Sequence, residues 1–297
     1  MGLKRLPENC PPPDRILRSP RLVLPAGAID SHAHVLGPAA TYPYAVERVY
    51  TPEDCTLADY VAQLKALGVS RGVLVQPSVY GTDNRAMLAA LSAQPIPLRG
   101  VAVIRPDISD IDLREMHALG VRGIRCNLVD LKDRLSGIPL AQLTALANRV
   151  RPLGWHLELL AHVHETPTLF NDFINFPVDV VFGHFGYVPM STGIDNPGFE
   201  GLLALMAAGK AWVKMTGPYR ISALHSPPYA DLRSTVAAVI DANPDRLVWG
   251  SDWPHVMMKR QMPNDADLVD LLADWIPNGS LLQKILIDNP QKLYDFL

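Results

Sequence analysis

The chain has 297 residues, of which 48% are hydrophobic and 19% charged, and its 27 basic and 30 acidic residues leave a formal net charge of -3. That composition excludes a disordered or collagen-like chain. It also leaves no broad basic surface for phosphate or anionic lipid, so nucleic acid and membranes are not expected partners.

Residues 1–25 are Pro-rich and aperiodic and read as an arm lying on the surface, with 26–297 as one catalytic domain. Short β-rich runs then recur at 28–35, 72–76, 100–104, 121–127, 155–160, 178–184, 212–216 and 247–252, eight candidate strands in all. Between the first two, Leu57, Val61, Leu64 and Leu67 follow one another at steps of four, three and three behind Asp54 and Thr56 as caps, which predicts a helix. Further helical stretches are expected at 84–93, 110–119, 140–153, 166–173, 198–208 and 229–242, and the chain closes with 266–275 and 281–297. No apolar run approaches the roughly 18 residues that span a bilayer. The three cysteines, Cys10, Cys55 and Cys126, are widely spaced, without a CxxC pair or a disulfide framework. With no secretory-type apolar segment among the early prolines, they point to a reducing, cytoplasmic setting.

Strands joined by crossover helices are buried on both faces, which explains runs such as VLV and VDVVF that lack polar alternation. Eight such units predict an α/β fold, a closed (β/α)8 TIM barrel, over an open doubly wound sheet. An open nucleotide-binding sheet would carry a glycine-rich phosphate loop after its first strand, and that place reads DSHAHVLGP. In a barrel, chemistry gathers at the C-terminal strand ends. His32 and His34 lie two apart on the first strand and so face the same side. His184 ends the sixth strand and Asp252 the eighth, and closure of the ring predicts that all four converge. An unpaired Asp at the end of an apolar strand is costly to bury unless it is used, which singles out Asp252.

The motifs DSHAHV, GHFG and WGSDWPH together resemble the amidohydrolase superfamily. Within it VYTPEDCTLADY, VLVQPSVYGTDNRAML, RGIRCNL, LGWH and DNPQKLY resemble the 2-pyrone-4,6-dicarboxylate hydrolases and related lactonases, from about residue 28 to the C-terminus. The resemblance implies a barrel hydrolase that opens a lactone or related cyclic ester of a small carboxylated compound. In that reading Asp252 takes a proton from water, His32, His34 and His184 hold or polarise the carbonyl, and Asp252 then protonates the leaving oxygen. The alternatives in the same superfamily are a metal-dependent decarboxylase or hydratase and a lactone isomerase.

The resemblance leaves two readings of the cofactor. The expectation is that none is required, and the alternative is one divalent metal, zinc by choice of ligands, on His32, His34 and Asp252 with His184 or His162. A full binuclear site is not expected, because the fourth strand offers Arg125 and Asn127, and Leu160 occupies the ligand-bearing position of the fifth. Glu158 is expected to pair with Arg125, and His156 and His162 to hydrogen-bond in or near the core. His117, His164 and His225 are expected at solvent or in loops. For substrate binding the resemblance carries over Arg125, Arg220, Tyr50 and Ser78, with Tyr80 and Tyr219 as further candidates. Tyr187 stands where the family has an arginine, and Leu131 where another basic residue is expected. The ligand implied is therefore a lactone with one carboxylate or a less charged acyl compound. A homo-oligomer is compatible with the barrel faces.

Overall fold

The computed structural model describes residues 7–130, 137–276 and 278–296. Eight strands form one parallel sheet in strict chain order: β1 Ile29–Ala33, β2 Arg71–Val75, β3 Leu98–Ala102, β4 Val121–Asn127, β5 His156–Leu160, β6 Val180–Phe182, β7 Ala211–Met215 and β8 Leu247–Trp249. The ring is closed beyond the end of β8. There the Asp252 N–H donates to His32 O at 2.8 Å, the His34 N–H donates to Trp253 O at 2.8 Å, and Ala33 bridges Trp253 in parallel. The expected (β/α)8 barrel is therefore the fold, and each predicted run overlaps a strand, the second, third and seventh strands beginning one or two residues earlier than expected.

The helices form for local reasons. In α1, Leu57–Leu67, Thr56 and Asp59 make a reciprocal capping box, and left-handed Gly68 ends the last turn. Around the ring follow α2 Arg85–Ala93, α3 Asp110–Ala118, α4 Leu140–Val150, α5 Leu169–Phe173, α6 Pro197–Ala207, α7 Arg233–Ala242 and α8 Asp265–Trp275. The expected terminal helix over 281–297 is broken. It runs as α9 Gly279–Gln283, a π turn at Lys284–Asp288, and α10 Asn289–Tyr294, with Pro290 in the first turn of the last piece.

Two layers of apolar packing follow from strand alternation. Outward residues such as Leu74, Leu157, Leu159 and Phe182 join the helices in the main core. Inward residues form two smaller clusters, Ile29, Val73, Val75 and Val101 with Tyr294, and Val181, Trp212 and Val248, with Leu293 packed against both. Residues of α10 thus plug the lower end of the barrel. His156, at the foot of β5, meets the Tyr294 ring edge-on at 5.3 Å between centroids. Its two ring nitrogens make no hydrogen bond, which corrects the expected one.

The N-terminal segment is tied across the upper end. Glu8–Asn9 pairs in parallel with Tyr50–Thr51, and Cys10 Sγ accepts from the Met257 N–H at 3.2 Å. Asn264 donates to Asp14 and to Ile16 O at 2.9 and 2.8 Å, while Arg18 and Arg21 pair with Asp267 and Asp270 of α8. Among the described residues, no helix is long and apolar enough to cross a membrane.

Removing the barrel plug should leave a cavity that the rigid ring cannot collapse. Tyr294→Ala is expected to lower the unfolding free energy by about 3–5 kcal/mol, read from urea melts. A loss below about 1 kcal/mol would show that the inward clusters do not depend on it.

Candidate active site

Chain reversals at the upper end place the ionisable groups. The predicted sixth and eighth strands are shorter than expected, because His184 and Asp252 lie just past them in sharp turns. His184, Phe185, Tyr187, Asp252, His255 and Met257 all have φ between 50° and 65°, a conformation that disfavours side chains with a Cβ. Such backbone persists where surrounding contacts over-determine it. Gly250 allows the crossing of β8 over β1, since a Cβ there would lie 2.6 Å from His32 N. Asp30 locks the same crossing. Its buried carboxylate accepts from the Ser251 N–H at 2.8 Å, the Ser251 hydroxyl at 2.6 Å, the His32 N–H at 3.1 Å and the Tyr60 hydroxyl at 3.1 Å. Burial raises the Asp30 carboxyl to about 6 against these donors.

The four predicted groups do come together. Asp252 is fully buried, and its two oxygens differ. Oδ2 accepts from the Tyr219 hydroxyl at 2.6 Å and from Arg220 Nε at 2.7 Å. Oδ1 has no hydrogen bond and faces His32 Nε2 at 3.5 Å, His184 Nε2 at 3.9 Å and His34 Nε2 at 4.0 Å. Each imidazole is held from behind. His34 Nδ1 donates to Val75 O at 2.7 Å. His184 Nδ1 lies 2.7 Å from the Thr216 hydroxyl, and His32 Nδ1 lies 3.2 Å from Lys214 Nζ. Behind Tyr219, His255 joins the hydroxyl at 2.8 Å and Asp265 at 3.1 Å.

Electrostatics follow from this packing. Burial alone would raise the Asp252 carboxyl, but the Arg220 guanidinium beside it holds it well below the usual range. Burial pushes His34 and His184 down to about 4, and His32 well below its ordinary value. Glu158 likewise stays ionised against burial through the Lys214 ammonium, 2.5 Å away.

A cavity of about 380 Å³ is lined by Asp252, His34 and His184. Its walls include the predicted Tyr50, Ser78, Arg125, Tyr187 and Arg220, together with Tyr219 and Leu160. Lys259 and Arg260, which the sequence reading passed over, line it as well. Arg125 is buried, donates to Gln76 O at 2.9 Å, and has no carboxylate partner among the described residues, while its Nε is unpaired. Such a guanidinium suits an anionic ligand group. Arg220 is different, since its Nε is committed to Asp252 and another of its nitrogens donates to Val256 O at 3.2 Å.

Several expectations need correction. Glu158 pairs with Lys214 instead of Arg125: the two are register neighbours on β4 and β5, but the Glu158 side chain reaches across the barrel to β7. Lys214 itself was missed, although a lone Lys inside the apolar run AWVKM was a signal. His162 does not join the Asp252 group. The chain leaves strand geometry after Leu160, and the His162 ring packs against Tyr187 and groups with His164 and Glu165. Tyr80 is a packing residue whose hydroxyl accepts from the Gly37 N–H at 2.7 Å. His117 is half-buried and accepts from Trp155 Nε1 at 3.0 Å. The expectation for Leu131 lies outside the described residues.

The donor set also bears on a metal. His32, His34 and Asp252 offer atoms that all lie within 4.8 Å of one another, and His32 Nε2 and Asp252 Oδ1 are buried without partners. With His184 Nε2 nearby these positions fit one divalent cation. They do not fit two, since the wall where a bridging ligand would stand carries Arg125 and Leu160.

Comparison with known proteins came to the same region of chain. The sequence profile of the amidohydrolase family matches residues 29–296. The chain is 38% identical to a 2-pyrone-4,6-dicarboxylate hydrolase of Comamonas testosteroni, over 93% of this chain and 92% of that one. It is 36% identical to a 4-sulfomuconolactone hydrolase of Hydrogenophaga intermedia, over 96% and 94% of the two chains. A crystal structure of a candidate 2-pyrone-4,6-dicarboxylic acid hydrolase from Pseudomonas putida superposes with a TM-score of 0.78 at 38% identity, covering 92% of this chain and 99% of that one.

The buried imidazoles make the fold acid-sensitive. His34, His156 and His184 titrate near 4 when folded, against about 6.5 when unfolded, so the folded state binds fewer protons. The stability this gives is complete above pH 6.5 and is lost as pH falls toward 4. Thermal melts at constant ionic strength should show Tm dropping steadily across that window. A flat Tm there would mean that these rings take up protons without cost.

Proposed function

This chain belongs to the amidohydrolase family, and from that premise we propose that it hydrolyses a lactone of a small carboxylated compound with Asp252 as the proton acceptor. The observation that carries the proposal is the asymmetry of Asp252: one oxygen is bound by Tyr219 and Arg220, and the other is free and faces three imidazole nitrogens. Relatives that open a pyrone and a sulfomuconolactone support the reaction class. The product is the open-chain acid.

In the proposed step, water between Asp252 Oδ1 and the substrate gives a proton to Oδ1 while its oxygen bonds to the lactone carbonyl carbon. The carbonyl π electrons move to the exocyclic oxygen, where the His32 and His184 rings meet the developing charge, while His34, whose Nδ1–H goes to Val75 O, accepts from the attacking water. Collapse of the adduct re-forms the carbonyl and breaks the ring C–O bond. The proton on Asp252 passes to the leaving oxygen, an alkoxide or enolate, and the carboxylate is restored. Arg220 keeps Asp252 ionised before each turnover, and Tyr219 fixes its plane. A divalent ion held by His32, His34 and Asp252 would supply Lewis-acid polarisation of the carbonyl; the residues here perform each proton transfer without it.

Arg125 orients the substrate through its carboxylate, with Tyr50, Ser78 and Tyr187 shaping the remaining wall. Tyr187 offers a single hydroxyl where a guanidinium would make paired contacts, so a second acidic group of the substrate would fall to Lys259 or Arg260 of the same cavity.

Asp252→Asn keeps the shape and removes the proton acceptor. Its kcat on carboxylated lactones should fall about 10²–10⁴-fold with little change in KM, measured on chelator-treated enzyme by pH-stat titration of the released acid. Near-normal kcat would overturn the assignment. Arg125→Met should raise KM for an acid-bearing lactone by about 10–100-fold while sparing its methyl ester, the range expected for a lost charge-assisted contact. Equal losses on both would indicate that Arg125 holds the barrel and not the substrate.

A further inference from the structure

Beneath the imidazole group lies a charged cluster that the proposed hydrolysis does not use. Lys214 has no exposed surface, and Glu158 and His32 are each 1% exposed. A lysine ammonium carries three hydrogens and accepts none. Three acceptors surround Nζ: Ser31 O at 2.8 Å, Glu158 Oε2 at 2.5 Å and His32 Nδ1 at 3.2 Å. All of its hydrogens are placed when His32 Nδ1 is a lone pair. A proton on that nitrogen would instead oppose the third ammonium hydrogen inside a dry interior, leaving it unpaired.

We infer that Lys214 is a positioning residue that holds His32 as the Nε2–H tautomer, so that His32 presents a donor to the reaction centre while His34 presents a lone pair. The second half follows from Val75, whose carbonyl can only accept and so requires the proton on His34 Nδ1. The two rings of the HxH pair, 5.0 Å apart between centroids, therefore have opposite polarity toward the same point. His32 Nε2 lies 3.5 Å from Asp252 Oδ1, and neither atom has a hydrogen-bond partner, so the N–H is left for a substrate oxygen between them. In the lactone reading, on which this inference rests for its functional meaning, His32 donates to the carbonyl oxygen and His34 accepts from water.

The arrangement also acts on metal affinity. A metal-bound imidazole uses a lone pair and gives its other N–H to a carbonyl or carboxylate behind it. His34 is arranged that way. His32 is not, because the group closest to its Nδ1 can only donate. Glu158 Oε1, at 3.4 Å from the same nitrogen, is the acceptor that would serve once Lys214 is removed. Lys214 thus biases a site with metal-binding geometry toward metal-free work.

The test is histidine-ring 15N NMR on the chelator-treated, full-length protein without substrate, with the His32 signals assigned by their loss in His32→Gln. The expected result is the Nε2–H form for His32 and the Nδ1–H form for His34. An Nδ1–H form for His32 overturns the inference. In Lys214→Met, His32 should switch to Nδ1–H, and zinc affinity measured against a chromophoric chelator should rise about tenfold or more. Unchanged affinity in a folded Lys214→Met protein with an unchanged tautomer also overturns it. Should that variant fail to fold, the spectrum of the unaltered chain decides. These readouts need no turnover, so they are separate from the lactone reading, which fails when the folded enzyme opens no lactone whichever tautomer is found.

Discussion

The site depends on how one buried carboxylate is satisfied on one side only. Taking Asp252 out of water would drive it to the neutral acid, and a neutral acid cannot accept a proton from water. Arg220 and Tyr219 prevent that by binding Oδ2, and they come from the turn just after β7, where Gly217 takes a left-handed φ of 54° close to the same oxygen. The anion is thereby kept, while the second oxygen stays bare. An aspartate bound on both oxygens would be stable and inert, and one bound on neither would be protonated.

The same logic explains why so much charge lies inside a barrel whose lower end is packed with aliphatic and aromatic side chains. Inward positions from bottom to top pass from Tyr294, Val73 and Val101 through the Glu158–Lys214 pair to the imidazoles and Asp252. A buried ion pair is weak evidence for stability, because desolvation offsets most of the attraction. Its value here lies in orientation: it puts a donor-only group behind His32, while a backbone carbonyl stands behind His34 and a hydroxyl behind His184. Three chemically identical rings thus acquire three different settings from the groups that stand behind them. The positive-φ turns at His184 and Asp252 belong to the same design, since a strand that simply continued would carry both side chains past the centre.

Much of this was legible in the sequence, and the reasons are physical. Runs such as VLV and VDVVF lack polar alternation, as strands covered on both faces do, and eight strand–helix repeats in series pointed to the barrel before any coordinate. The parity of His32 and His34, and the cost of burying Asp252, were equally local facts. What could not be read were partners set by distance across the ring. Glu158 and Arg125 are register neighbours, yet Glu158 pairs with Lys214 of β7. The commitment of Arg220 to Asp252, which removes it as a free substrate clamp, required two loops to meet. The alternative that put His162 among the metal-holding groups fails because the chain has already turned after Leu160, and its Nδ1 meets Tyr187 O at 3.3 Å instead. Asp30 stands in the quoted motif DSHAHV, but its bond to Ser251 appears only when the first and last strands close.

The central claim is that a lactone carbonyl sits among the three imidazoles with the attacking water on Asp252 Oδ1. It is tested most directly by a crystal structure of the Asp252→Asn variant soaked with a slowly hydrolysed carboxylated lactone. The account predicts an intact ring whose exocyclic oxygen lies within hydrogen-bond distance of the His32 Nε2 atom, whose carboxylate meets Arg125, and whose carbonyl carbon is approached by a water resting on residue 252. A ring turned so that its carbonyl points toward Tyr50 and Ser78, with no water between it and residue 252, would contradict it.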